Sequence, residues 1–159
     1  MKSIVILFIK SVSFFVTIFF FYSLFFYEAK KLDFWEKALF PSLIISSALL
    51  LIHLLFAVKS GQRGHFGTVQ QKVIQTNVTI EQLLEKLNGL TRWRLISKQP
   101  NCLVYKTGFE SIKSFGETIE ISSNENGIRI KSRPSLKTTL FDFGKNFQNV
   151  KKIQTLLNT

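Results

Sequence analysis

The chain has 159 residues, of which 46% are hydrophobic and 14% aromatic, and its formal net charge at pH 7 is +11. Two histidines and a single cysteine, Cys102, are too few and too scattered to build a zinc site or an intrachain disulfide. No order of Ser, His and Asp or of Cys and His suggests a nucleophile and its base, so we expect no enzyme, no metal and no cofactor.

The first apolar stretch, residues 4–27, predicts a membrane-spanning helix in spite of Lys10. It contains 17 Phe, Leu, Ile and Val residues. Each favours insertion by roughly 0.3–0.6 kcal/mol, against at most about 3 kcal/mol for one central lysine. A signal peptide would be shorter and would end in small residues, whereas this stretch ends in two phenylalanines and Tyr27. We therefore expect a helix that is retained in the mature chain.

The second apolar stretch, residues 38–58, runs for 21 residues without an Asp, Glu, Lys or Arg. At 1.5 Å of rise per residue it reaches about 30 Å, the thickness of the hydrocarbon core of a bilayer. Pro41 lies in its first turn, where a missing N–H costs least. Aromatic residues typical of membrane interfaces lie in or near the connection 28–37, namely Tyr22, Tyr27 and Trp35. The two stretches predict a transmembrane hairpin with both chain ends on one side.

The orientation of this hairpin follows from the basic residues near the helix ends. The connection carries Lys30, Lys31 and Lys37, whereas the other side has the amino terminus, Lys2, Lys59, Arg63 and Lys72. Basic residues accumulate on the cytoplasmic side of membrane proteins, which favours cytoplasmic termini. A lone cysteine agrees with a reducing compartment. The expected location is the inner (cytoplasmic) membrane, with two helices and cytoplasmic N- and C-termini.

A short linker, residues 59–67, separates the hairpin, residues 1–58, from a basic domain, residues 68–159. The linker has three glycines and no apolar run, which predicts flexibility. Residues 59–159 contain 16 of the 21 Lys and Arg and 7 of the 10 Asp and Glu, so 16 − 7 = +9 of the net charge lies there. Such an excess attracts anionic lipid, nucleic acid or an acidic partner.

Local signals in the basic domain predict its first strand and helix. Residues 66–75 are β-prone. Thr79 and Gln82 have the spacing of a capping box, which starts a helix. Apolar residues follow at helical spacing, and Gly89 supplies a stop. The apolar stripe consists of Ile80, Leu83, Leu84 and Leu87.

From residue 91 the hydrophobic period changes to two, which predicts strands. Trp93 and Leu95 alternate with arginines, and further strands are expected at 102–107, 116–122 and 127–133. If residues 123–126 form a four-residue hairpin loop, three cross-strand pairs follow. They are Ile121 with Ile128, Ile119 with Ile130, and Glu120 with Arg129 on the other face.

A second amphipathic helix is expected at the C-terminus, where apolar residues recur at helical spacing and Asp142 stands before them as a candidate cap. Its stripe is Phe147, Val150, Ile153 and Leu157. The basic domain therefore reads β-α-β-β-β-β-α. We expect a membrane-anchored α+β protein whose two-layer domain has an antiparallel sheet with helices on one face.

Three segments in the C-terminal third resemble the closing signature of domain of unknown function 1499. They are residues 130–135 (IKSRPS), 142–146 (DFGKN) and 150–153 (VKKI). The signature is a strand ending in Arg-Ser-Arg-like residues, a turn reading Asp-x-Gly-x-Asn and a basic helix; such domains open with a helix and a tryptophan-bearing strand, here Trp93. The resemblance covers residues 79–157 and departs from the signature at Lys131 and in extra residues between 135 and 142. It implies a domain without an assigned activity.

Three groups of residues are candidates for function. The first is a basic strand face that would meet an anionic lipid or partner surface, or would simply be solvated beside Glu117 and Glu120: Arg129, Lys131, Arg133, Lys137, Arg92 and Arg94. The second is a helix entrance that could hold an anion or merely cap the helix: Asp142, Gly144, Lys145 and Asn146. The third is an intramembrane polar pair at similar depth: Lys10 and His53.

These candidates favour a protein that docks without catalysis to the anionic membrane surface or to a membrane-complex partner. One alternative is a small lipid or hydrophobic ligand in a cavity between the sheet and the last helix, lined by Trp93, Tyr105, Phe109, Phe115, Phe141 and Phe143. Nucleic-acid binding at the membrane is another alternative that the charge permits. It is disfavoured because no recognition motif is present and the linker is short.

Overall fold

The structure, a computed structural model, describes residues 2–26, 35–62, 66–90, 93–108, 116–125, 127–136 and 138–158. In chain order it contains α1 (Lys2–Phe26), a π-helical turn (Trp35–Leu39), α2 (Phe40–Lys59), β1 (Gln70–Ile74), α3 (Ile80–Leu90), β2 (Arg94–Gln99), β3 (Cys102–Lys106), β4 (Glu117–Asn124), β5 (Gly127–Pro134) and α4 (Lys145–Asn158). The predicted α+β class and order of elements are confirmed.

Helices α1 and α2 are long and apolar enough to cross a membrane. Only 11% of the apolar stretch of α1 and 22% of the apolar stretch of α2 are buried, so neither is an interior helix of the described fold. The two helices meet through small side chains, since Ser42 and Ser46 are fully buried and Ser11 Oγ donates a hydrogen bond of 3.0 Å to Ser46 Oγ. Small residues let two helix backbones approach closely in apolar surroundings.

The strands form one antiparallel sheet in the order β1-β5-β4-β3-β2. Helices α3 and α4 pack on one face of it, as predicted, and strand residues at alternate positions point towards them. The core between these two layers consists of aliphatic side chains and one tyrosine. Its most deeply buried members are Leu83, Leu87, Leu103, Tyr105, Ile119, Ile121, Ile128, Ile130 and Ile153.

Helix α3 begins at the predicted capping box. The backbone N–H of Gln82 donates to Thr79 Oγ1 at 3.3 Å, and the backbone N–H of Thr79 donates to Gln82 Oε1 at 3.0 Å. The two side chains thus satisfy each other's free backbone donors, which is why the helix starts here. It ends at Leu90, one residue beyond the predicted stop at Gly89.

The β4–β5 hairpin differs from the prediction in register. Pairing extends to Asn124 and Gly127, so the loop has two residues instead of four. Ile121 therefore faces Ile130, and Glu120 faces Lys131 instead of Arg129. A slip of two residues keeps every side chain on its predicted face, because the side-chain period of a strand is two.

Glycine at position 127 permits this tight loop. Gly127 has a φ of +117°, and a Cβ there would lie 2.2 Å from the carbonyl oxygen of Ile74. No other residue type fits so close to the end of β1.

Candidate functional site

The last two turns of α2 are joined to the sheet domain through a buried imidazole. His53 is fully buried, its Nε2 lies 3.1 Å from the carbonyl oxygen of Phe66, and its Nδ1 accepts a hydrogen bond of 3.2 Å from the backbone N–H of Phe143. An N–H donor aimed at Nδ1 leaves the proton on Nε2, which donates to Phe66. The ring therefore bridges two loops of the domain from within α2.

Asp142 stands beside this histidine and caps α4, as its position in the sequence predicted. Its carboxylate accepts hydrogen bonds from the backbone N–H groups of Gly144 (3.3 Å) and Asn146 (3.0 Å). Burial raises the pKa of Asp142, whereas the hydrogen bonds that its carboxylate accepts from Asn146 and Gly144 lower it. The carboxyl is thus held by donors but poorly solvated.

Asn146, in the first turn of α4, ties three segments together. Its amide nitrogen Nδ2 donates to the carbonyl oxygen of Thr68 at 2.7 Å and to Asp142 Oδ2 at 2.9 Å. Its amide oxygen Oδ1 accepts from the hydroxyl of Ser132 on β5 at 2.6 Å, and Asn149 Nδ2 donates to the same hydroxyl oxygen at 3.2 Å. We call His53, Ser132, Asp142, Asn146 and Asn149 the polar junction.

The turn that carries the junction requires glycine at position 144. Gly144 has a φ of +78°, and a Cβ there would lie 3.0 Å from Ser60 Oγ and 3.1 Å from Ala57 Cα. The preceding Phe143 also has a positive φ, +48°, and its ring contacts those of His53 and Phe56. The turn therefore lies directly against the backbone of α2.

The hydrogen bonds of the junction occupy groups that two of the predicted sites would need, the anion site at the entrance of α4 and the pair of Lys10 and His53. The N–H groups of Gly144 and Asn146, which an anion at the helix entrance would need, already donate to the carboxylate of Asp142. Both ring nitrogens of His53 have partners other than Lys10. Lys10 instead lines a groove between α1 and the segment that follows β5.

The side chains of the junction bond to one another and to the backbone of neighbouring segments. The hydroxyl of Ser132 donates to Asn146, and in the described part of the chain no hydrogen bond joins it to His53. Within the described ranges, no group of three or more His, Cys, Asp and Glu side chains could hold a metal ion.

The sheet face opposite α3 and α4, which we call the open face, aligns basic residues from several strands. The register puts Arg133 of β5, Thr118 of β4, Lys106 of β3 and Arg94 of β2 in one cross-strand row. With strands about 4.8 Å apart the row is roughly 14 Å long. Its three cations are exposed. We call them the basic row.

The other predicted members of the basic face lie elsewhere. Lys131 is half-buried and opposite Glu120, and Arg129 lies four residues, about 13 Å, along β5 from Arg133. Arg92 and Lys137 are outside the described residues. The structure thus brings Arg94 and Arg133 into one row and adds Lys106, which sequence reasoning missed.

A groove of about 760 Å³ separates α1 from the end of β5 and the segment after it. Its α1 wall includes Leu7, Lys10, Phe14 and Ile18, and Arg133 stands on the opposite wall. The remaining lining residues are Ile9, Ser13, Thr17, Thr68, Val69, Pro134, Leu136, Thr138, Thr139 and Leu140. Because Arg133 belongs to both, the basic row and the groove meet at the end of the sheet next to α1.

The aromatic residues that the sequence suggested for a ligand cavity belong to two separate places. Trp93 is half-buried at the edge of the core and packs on Tyr105, with ring centroids 6.2 Å apart. Phe141 and Phe143 surround His53 at the junction, at 5.5 and 6.0 Å. Phe109 and Phe115 lie outside the described residues.

The polar junction as a whole was not predicted from the sequence. Asp142 and Asn146 were candidates for an anion site at the helix entrance, and His53 was paired with Lys10. Ser132 carried a signal, because it is a polar residue at an inward position of the alternating pattern in β5. A buried polar residue in such a position needs a partner.

Comparison of the chain with protein-family models, with curated proteins and with solved structures gives no match. The resemblance of residues 79–157 to domain of unknown function 1499 therefore stays a prediction, and function has to be argued from the geometry.

Proposed function

We propose that this chain is an integral membrane protein whose α1–α2 hairpin crosses the bilayer and whose sheet domain docks, without catalysis, on anionic lipid headgroups. The hairpin supports the first half of this proposal. Large apolar side chains are exposed along both helices, among them Ile9, Phe21, Ile44 and Leu55. A contiguous apolar surface of this length in water would drive association, whereas in a bilayer it is solvated by lipid chains.

The observation that carries docking is the basic row at the end of the sheet next to α1. Arg94, Lys106 and Arg133 are exposed there, and Arg133 borders the groove beside α1. Each basic residue close to an anionic leaflet contributes about 1 kcal/mol. Three such residues would orient a domain that the hairpin already holds near the surface.

The polar junction makes this orientation effective. A domain on a flexible tether would bind more weakly, because ordering the tether on binding costs conformational entropy. Here the turn that contains Gly144 lies against Ala57 and Ser60, and Gln148 Nε2 donates to Ser60 Oγ at 2.7 Å. We infer that α2 and the sheet domain move together, so the basic row faces the leaflet on the side of the chain termini.

Screening distinguishes the basic row from other cations of the domain. Electrostatic attraction to a surface falls off over a Debye length of about 8–10 Å under physiological salt. Arg129 lies about 13 Å farther along β5 than Arg133, so it should contribute much less. A merely solvated basic face would show no such difference.

The test uses the full chain in lipid nanodiscs, with Cys102→Ser and a fluorophore on a cysteine introduced by Thr118→Cys, between Lys106 and Arg133 in the cross-strand row. Quenching by a headgroup-attached quencher reports the approach of the sheet to the lipid. We expect stronger quenching in discs with anionic phosphatidylglycerol than in neutral phosphatidylcholine discs, and loss of the difference at 1 M salt.

A matched pair of double variants completes this test. Lys106→Gln with Arg133→Gln should abolish the dependence on anionic lipid, whereas Lys98→Gln with Arg129→Gln, which removes the same charges elsewhere on the sheet, should preserve it. Equal loss in both pairs would contradict docking through the basic row. Release of the chain from native membranes by carbonate at high pH would contradict the transmembrane hairpin itself.

A further inference from the structure

The groove between α1 and the sheet domain combines an apolar wall with two cations, Lys10 and Arg133, and no described lining residue is acidic. We propose that it binds one anionic phospholipid, with the phosphate between Lys10 and Arg133 and an acyl chain along α1; this inference rests on the proposed membrane insertion of the hairpin.

The position of Lys10 is the first reason. It lies within the apolar stretch of α1, seven residues beyond the start of the candidate span at Ser3. A cation at this depth needs a counter-charge or a path to water. None of the groove's described lining residues is acidic, and in the described part of the chain neither Lys10 nor Arg133 forms an ion pair. Two cations that line one groove without a carboxylate fit a phosphate group.

The shape of the groove is the second reason. Lining residues of α1 run from Leu7 to Ile18, which corresponds to about 16 Å along the helix. Leu7, Phe14 and Ile18 project from one face of α1, and Leu136 and Leu140 lie on the opposite wall. A groove of about 760 Å³ is within the usual range of roughly 300–1,000 Å³ for ligand sites. An acyl chain would cover this apolar surface.

Polar groups are distributed as a lipid headgroup would need them. Thr138 and Thr139 line the groove with Arg133, and the Thr139 hydroxyl is buried without a hydrogen-bond partner among the described residues. Lys10 is nearer the chain-terminal end of α1 than Phe14 and Ile18. The phosphate would therefore lie on the side of the termini and the acyl chain would run towards the bilayer centre, as in an ordinary leaflet.

Native mass spectrometry of the full chain in mild detergent tests the proposal, with phosphatidylglycerol as the probe and phosphatidylcholine as its zwitterionic counterpart. We expect one phosphatidylglycerol per chain, bound at least tenfold more tightly than phosphatidylcholine. Lys10→Gln should weaken phosphatidylglycerol binding about fivefold, whereas Lys59→Gln, at the exposed end of α2, should leave it unchanged.

A steric pair of variants separates the groove from general lipid contact. Ser13→Trp fills the groove from an exposed position of α1 and should abolish the bound lipid, while Ala48→Trp adds the same bulk at an exposed position of α2 outside the groove. Lipid retained by Ser13→Trp, or equal binding of both phospholipids, would overturn the proposal.

These variants leave Arg94, Lys106 and Arg133 intact, so the nanodisc quenching assay still reports docking by the basic row. Loss of the bound lipid with unchanged quenching would support the groove as a separate site. Unchanged lipid binding in Ser13→Trp with normal quenching would overturn the groove but not the proposed function.

Discussion

Helix α2 makes two contacts of different chemistry. Its first half meets α1 through small side chains and, among the described residues, through the hydroxyl pair of Ser11 and Ser46. Its last two turns meet the sheet domain through His53 and a turn held by several buried hydrogen bonds. Packing is enough to pair two helices in apolar surroundings, whereas fixing the angle of a separate domain takes directional bonds. The comparison predicts that changes at the junction are costly and changes in the hairpin are mild.

The largest effect is expected for Asn146→Ala. The substitution leaves the Ser132 hydroxyl and the Thr68 carbonyl without one of their partners and removes a donor from Asp142. With about 1–3 kcal/mol for each buried group affected, the free energy of unfolding should fall by roughly 3–5 kcal/mol. Asn158→Ala, at an exposed position of the same helix, should change it by less than about 0.5 kcal/mol.

Unfolding of the full chain in mild detergent measures the Asn146 effect, and amide hydrogen exchange locates it. We expect protection to be lost at Gly144 and Asn146 while α1 and the first half of α2 keep theirs. Equal effects of the two asparagine variants would show that the junction bonds contribute little.

Gly144→Ala tests the close approach of the turn to α2. The new Cβ combines left-handed backbone strain of about 1–2 kcal/mol with overlap against Ala57 and Ser60, so a loss of roughly 2–4 kcal/mol is expected. Gly61→Ala is the control: its φ is +83°, but the nearest atom to a Cβ is Lys151 Nζ at 3.8 Å. Only the strain remains there. If thermal melts show the same loss for both variants, packing against α2 is not the cause.

Ser46→Ala should have a milder effect on the other contact of α2. It removes the hydrogen bond with Ser11 but keeps a small side chain, so the expected loss is about 0.6 kcal/mol and at most about 1.7 kcal/mol. Ser47→Ala, one residue on and exposed, serves as the control in the same melts. A loss larger than that of Asn146→Ala would reverse the comparison.

The smallest effect concerns pH. Because burial raises the pKa of Asp142, the folded chain keeps its proton to higher pH than the unfolded chain. The stability due to this carboxyl is therefore fully present below its unfolded-state pKa and is lost as pH rises through its folded-state pKa. The free energy of unfolding of the native chain, minus that of Asp142→Asn, should fall with rising pH across that window. Melts over a pH series would contradict this if the native chain gained stability relative to the variant.

Local patterns in the sequence were sufficient to predict the type and order of most helices and strands. Hydropathy marked α1 and α2, alternation marked the strands, and Thr79 with Gln82 marked the start of α3. The faces of β4 and β5 were also correct although their register was not, because a slip of two residues preserves the side on which each residue lies. The proposed domain bounds and membrane orientation remain predictions.

The sequence by itself determined which segments are helices and strands and which residues are inward, since these follow from interactions between near neighbours in the chain. Only the tertiary structure brought His53 to Asp142 across 89 positions and put Arg94, Lys106 and Arg133 in one row. Strand order and the packing of a turn on α2 decide those proximities, and both depend on contacts between residues far apart in the chain. The junction, the basic row and the groove are therefore properties of the fold, built from residues that show no common pattern in the sequence.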